Sequence, residues 1–227
     1  MKKNVLALSI ATMIGGLGFT GAAFAAAGDL AVTPSGDGHI LMVPYYTVQD
    51  GNVTALNIVN TDTKNGKAVK VRFRGASNSD DLLDFQVFLS PGDVWTAAVT
   101  ADANGLAQLV TADNSCTLPK IELNTPVPFI KDRLTKAGWT DADKNAQTRE
   151  GYIEILNMAD IDPAKIYDKD SGNFAAAGTA QSGLYKATKH VSGVAPCTDT
   201  ALNALNDVDP AKNATAASAA DTTIAAT

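Results

Sequence analysis

The 227-residue chain has two cysteines, two histidines and two tryptophans, and aromatics make up only 6% of it. His39 and His190 lie far apart in sequence and have no companion cluster of ligand residues. A zinc or copper site needs several His or Cys donors together, so each is expected as a lone surface histidine and no metal cofactor is predicted. Cys116 and Cys197 form no CxxC pair, which argues against redox catalysis. GxSxG, HExxH and P-loop patterns are missing, and without them no catalytic class announces itself. No basic tract occurs, and 18 Lys+Arg against 24 Asp+Glu leave a net charge of −6. Nucleic-acid binding needs clustered cations to displace counterions, so that class is excluded. Beyond the first 25 residues no apolar run reaches membrane-spanning length, so no membrane span is expected in the mature chain.

What is present is 45% hydrophobic residues, 18 Gly and 9 Pro, with many Thr, Asn, Asp and Ala. That mixture favours short strands and turns over long helices, in one large domain or two small ones. The N-terminus has the three-part plan of a secretory signal. Lys2 and Lys3 are followed by an apolar run from Val5 to Phe19, then by the small-x-small site Ala23-Phe24-Ala25. The run is too short and Gly-rich for a spanning helix. Residues 1–25 are therefore expected to be removed, which makes the chain more acidic; the alternative is an uncleaved anchor. The signal resembles those of Gram-negative bacteria, which implies periplasm, cell surface or medium. In that oxidising setting an even cysteine pair reads as one disulfide, Cys116–Cys197. It would close a loop of about 80 residues, for a stabilisation of roughly 4 kcal/mol in the chain-entropy model.

Three zones follow. Residues 26–38 are small and polar and read as a flexible arm with one apolar patch, Leu30-Ala31-Val32. Residues 39–110 carry strand signals. His39–Tyr46 is β-rich, with Pro44 marking an edge or bulge. Val53–Asn60 alternates imperfectly, setting Val53, Ala55 and Val59 apart from Leu56 and Ile58. Thr61–Gly66 reads as a turn whose Asn65-Gly66 is a strong hairpin dipeptide. Ala68–Arg74 then alternates with Val69, Val71 and Phe73 inward. Leu83–Leu89 places Leu83, Phe85, Val87 and Leu89 on one face, Ser90-Pro91-Gly92-Asp93 is a turn, and Val94–Val99 and Leu106–Val110 follow. Roughly five or six short strands at turn spacing indicate an antiparallel sandwich or barrel.

The strand–NG–strand pair with VKVRF, and the LSPGDVW step, resemble the immunoglobulin-like modules of bacterial surface proteins. The resemblance covers about a third of the chain. It implies an Ig-like fold and surface-protein company without implying a substrate. The two cysteines do not span the B and F strands as they do in antibody domains.

The third zone, from Thr111, is irregular. Phe129–Thr135 is expected to make a helical turn or two, Tyr152–Met158 a strand returning to the sandwich, and Asp199–Asn206 a short helix capped by Thr198 or Asp199. Residues 209–227 form an Ala/Thr-rich tail expected to be mobile, and so featureless an end also fits a chain that continues in a longer protein. Asp80, Asp81 and Asp84 read as a solvated acidic loop rather than catalytic carboxylates. Asp141–Asn145 starts like an EF-hand, but Ala146 and Tyr152 occupy the positions that need Gly and Glu. Asp168 and Asp170 remain weak calcium candidates. Trp95 reads as the core tryptophan, whereas Trp139, in a polar setting, is the candidate for stacking on a sugar ring; Tyr45 and Tyr46 are further aromatics for such a face.

The expectation is therefore an all-β, Ig-like antiparallel sandwich over residues 39–208, with long loop insertions and one or two short helices in its C-terminal region. Its expected role is that of an exported, non-enzymatic cell-surface protein that self-associates or adheres, as a filament or layer subunit. In that role Leu30, Ala31 and Val32 add as a strand to a neighbour's sheet. The alternative is a secreted module binding an envelope glycan.

Overall fold

Alternation decides where the strands fall. The computed structural model describes residues 37–168, 173–176 and 183–197. Nine strands build the body: β1 Ile40–Thr47, β2 Thr54–Val59, β3 Gly66–Gly75, β4 Asp81–Leu89, β5 Val94–Ala101, β6 Ala107–Val110, β7 Cys116–Leu118, β8 Val127–Pro128 and β9 Glu150–Ile161. Helix α1, Asp141–Gln147, precedes β9; β10 Lys165–Asp168, β11 Asn173–Ala176 and helix α2 Gly183–Thr188 follow it. One sheet has the order β1-β9-β3-β4-β7 and the other β2-β5-β6-β8; β10 and β11 pair separately. Every pairing is antiparallel. The expected class, an all-β antiparallel sandwich with short helices in its C-terminal part, is what the chain adopts.

The inward residues expected for β3 and β4 all lie in the core, with Val71, Phe73 and Val87 at 0% exposure. On β2, Leu56 and Ile58 are buried while Val59, and Val53 just before the strand, are exposed, as the alternation requires. Trp95 is fully buried against Phe85, ring centroids 5.6 Å apart. Tyr46, Phe73 and Phe129 form a second aromatic group, with Phe73 and Phe129 at 5.0 Å. Pro44 does fall in a bulge on an edge strand: the β1–β9 register shifts between Val43 and Tyr46, where the ring removes a ladder donor. The Tyr152–Met158 strand does return to the sandwich, between β1 and β3.

Two expectations are corrected. Asn65-Gly66 does not close a hairpin, because β2 pairs with β5 and β3 with β4 and β9, so the chain changes sheets there. Gly66 is needed for close approach: a Cβ on it would stand 2.8 Å from the Leu89 carbonyl oxygen. Phe129–Thr135 forms no helix; the segment instead holds a single turn closed by Leu134 N–H donating to the Lys131 carbonyl at 3.0 Å, with Phe129 and Leu134 buried on either side of it. Asp141–Asn145, whose spacing is unfit for an EF-hand, is the start of α1. Thr140 and Asp143 make a capping box, each side chain taking the other's backbone N–H, and this satisfies two orphan donors.

The C-terminal region is not merely irregular. Phe88, Ala68, Cys116 and Ile161 form a small second core with Tyr185 of α2 and Ala195. Phe88 alternates away from Val87, so this core lies on the outer face of the five-stranded sheet. The Cys116–Cys197 disulfide, with Cα atoms 5.4 Å apart, holds the covering segment in place. The arm with Leu30, Ala31 and Val32, residues 1–25, the 199–206 helix and the 209–227 tail lie outside the described residues.

Candidate interaction surface

The two chain crossings between sheets, residues 60–66 and 90–93, sit side by side at one end of the sandwich and share a polar knot. Asn60 Nδ2 donates to the carbonyl oxygens of Asn65 and Ser90, at 2.9 and 2.8 Å, and Gly92 N–H donates to the Asp62 carbonyl. The Asp62 carboxylate accepts from the backbone N–H groups of Lys64 and Asn65 and from Lys67 Nζ. Lys67 is 3% exposed and reaches Asp160 as well, at 2.5 Å. Burial alone pushes the Asp62 carboxyl up, but the backbone N–H donors and the Lys67 ammonium outweigh it and hold the group well below the usual carboxylate range. At Ser90-Pro91-Gly92-Asp93, Gly92 has φ +70°, the left-handed value that a Pro-Gly turn demands of its third residue.

Distant residues meet at this turn. Asp93 Oδ2 accepts from Ser90 N–H at 3.0 Å and Ser90 Oγ at 3.1 Å, and it lies 3.0 Å from His190 Nδ1. Ser115 Oγ donates to Asp113 Oδ1 at 2.6 Å. A nucleophilic relay places the imidazole between serine and carboxylate, one ring nitrogen on each. Here Ser90 Oγ and Asp93 Oδ2 both face Nδ1 of His190, and the serine also donates directly to the carboxylate. The group is a clasp that ties the segment after α2 to the β4–β5 turn. His190 is therefore not the lone surface histidine expected. No short motif signals this meeting, since about 100 residues of folding separate its parts. Beside it, a groove of about 360 Å³ runs between Asp113–Leu123 and Val194–Cys197, with Ser115, Ile121 and Leu123 in its walls.

The outer face of the five-stranded sheet divides into two. Its centre is a ladder of charge. Arg72 stands opposite Asp84 and Glu154 in register, Arg74 Nε donates to Glu154 at 3.1 Å, and Lys70 meets Asp84. Asp81 faces Arg72, Arg74 and Arg133. Asp81 and Asp84 are thus paired strand residues, not the solvated loop expected. The margin is apolar: Ile40 and Met42 on β1 are 56% and 54% exposed, and Met158 on β9 is also exposed. Ile40 is paired with Leu156 and Met42 with Glu154, so the stripe lies along β1, which among the described residues is an edge strand.

The other candidates disperse. Trp139 is half-buried; it packs on the main core, and Lys136 Nζ sits 5.3 Å from its ring centroid. Tyr45 is exposed and donates to Glu150, while Tyr46 is buried with its hydroxyl donating to the Thr148 carbonyl. Burial, with Glu150 nearby, pushes the Tyr46 phenol far up. His39 is half-buried at the start of β1, and its Nε2 has no partner among the described residues. Asp168 ends β10 opposite Asn173, and Asp170 lies outside the described residues. No group of three His, Cys, Asp or Glu side chains suited to a metal occurs among the described residues, and no described helix is long and apolar enough to cross a membrane.

Fold and surface together define a disulfide-bonded antiparallel β-sandwich in which the partly apolar β1 is an edge strand that, among the described residues, pairs only with β9. Comparison with known proteins found no matching family model, no similar curated protein and no similar solved structure.

Proposed function

We propose that this chain is an exported, non-enzymatic structural protein of a Gram-negative cell surface that self-associates into a filament or layer. The carrying observation is β1: an edge strand that continues directly from the arm and bears exposed Ile40 and Met42, with exposed Met158 on the neighbouring β9. Unpaired strand edges are templates for another chain, and strand addition draws its affinity from main-chain bonds and its specificity from alternate side chains. Pro44 and the bulge confine the open stretch to the first half of β1, which limits pairing to one register. Repeating such a contact head to tail gives an open assembly rather than a ring. Export is supported by the signal-like residues 1–25 and by the disulfide. Binding to an envelope glycan through Trp139 is the weaker reading, because Lys136 and the core already take much of that ring.

The test is negative-stain microscopy and sedimentation of the chain from Ala26, concentrated under oxidising conditions. Ordered fibres, sheets or concentration-dependent oligomers are expected, and Ile40→Lys with Met42→Lys, or removal of residues 26–36, should leave monomers. A wild-type chain that stays monomeric overturns self-association. Unchanged assembly in both variants overturns the β1 route.

A further inference from the structure

The corner between β1 and β2 carries chemistry that the assembly reading does not use. Residues 50–54 read Asp-Gly-Asn-Val-Thr, an N-x-Thr acceptor pattern for N-glycosylation with a carboxylate two residues before the asparagine. The other N-x-Ser/Thr match, Asn213-Ala214-Thr215, has Ala211 at that position and lies outside the described residues. Asp50, Asn52 and Val53 are all exposed, Val53 by 59%. Asp50 and Gly51 both take positive φ, 52° and 78°, so the backbone bulges outward just before Asn52. Asn52 Nδ2 makes one hydrogen bond, to the Gln49 carbonyl at 2.7 Å. An amide nitrogen has two N–H donors, so the second can be replaced without breaking that bond.

We propose that Asn52 is the acceptor of an N-linked glycan, added in trans from a lipid pyrophosphate-linked oligosaccharide. Asn52 Nδ2 attacks C1 of the donor sugar. The N–C1 bond forms, the C1–O bond breaks with its electron pair leaving on the pyrophosphate, and one amide proton passes to a base of the transferase. Asp50 offers the transferase a negative charge to pair with. In the folded chain the Thr54 hydroxyl is taken: it donates to the Thr47 carbonyl at 2.9 Å and accepts from Thr47 N–H at 3.0 Å. A transferase that reads this hydroxyl must therefore act before the corner closes, and the finished glycan stands in solvent at the end of the sandwich opposite the Ile40 stripe. The proposal rests on export but not on self-association.

Mass spectrometry of the protein isolated from its own cells tests it, on the tryptic peptide that ends at Lys64 and contains Asn52. A glycopeptide is expected. It should be lost entirely in Asn52→Gln and in Thr54→Ala, kept in Thr54→Ser, and reduced several-fold in Asp50→Asn, with circular dichroism confirming that Asn52→Gln folds. An unmodified peptide from protein whose N-terminus is trimmed to Ala26 overturns the proposal while export stands. A glycan that persists in Asn52→Gln, as on Thr47 or Thr54 oxygen, also overturns it.

Discussion

Lys67 stands at the second position of β3, whose later residues alternate cleanly, yet it is among the most buried charges described. Its carboxylate partners are Asp62, five residues back in the crossing, and Asp160, across β9. A buried ammonium is tolerable only when paired and hydrogen-bonded, and the Asp62 turn supplies one partner at 3.0 Å beside the closer Asp160. Because Asp62 titrates well below its unfolded value, its contribution is fully present above about pH 4 and fades as pH falls through the depressed folded-state value. Asp62→Asn should therefore lower the melting temperature more at pH 7 than at pH 2, which lies below the unfolded-state value, so that part of the contribution is already lost there. Equal losses at both pH values would contradict this account. The alternation of Val69, Val71 and Phe73 could be read from sequence because it is local. The burial of Lys67 could not, because it depends on Asp160 arriving from a strand more than 90 residues later.

Strands were more legible than turns and helices, for a physical reason. A period of two repeats within a few residues, and its hydrophobic signal survives whichever neighbour the strand acquires. A turn dipeptide reports only that the chain bends. Asn65-Gly66 bends the chain, but into the other sheet, with Asp62 rather than a positive-φ glycine organising the loop. The Ser90–Asp93 turn is legible in its local geometry, whereas its meeting with His190 depends on a residue 100 positions away. Helix α1 carries a legible signal, Thr140 three residues before Asp143, the spacing of a capping box. Here the Thr140 hydroxyl and backbone N–H hold the exposed Asp143 carboxyl below its ordinary value. Thr140→Ala should destabilise the protein by about 1 kcal/mol, the usual loss for a cap, measured by urea unfolding with unchanged slope. A variant as stable as wild type would mean that α1 is held by its flanking loops and not by its box.

At the scale of the whole molecule, the charged centre of one sheet face, the second core and the open β1 edge divide the surface among separate tasks. Segment 183–197 covers the outer face only around Phe88 and Ile161, held there by the Asp93–His190 clasp and by a disulfide spanning 81 residues. The second core is small, so most of its hold on the sandwich comes through these tethers. Closing a loop of that length stabilises the fold by roughly 4.5 kcal/mol in the chain-entropy model. Opening it should not melt all elements together: β3, β4 and β9 keep the main core, while α2 loses its anchor. Replacing Cys116 and Cys197 by alanine should raise hydrogen exchange first in Leu184–Lys189, with the amides of Val71, Phe85 and Ile155 still protected until global unfolding. Simultaneous loss of protection in both sets would show that the second core and the sandwich form one cooperative unit. Because the β1 stripe lies on the opposite margin of the same sheet from β7, assembly through Ile40 and Met42 should survive this double substitution wherever the sandwich itself remains folded.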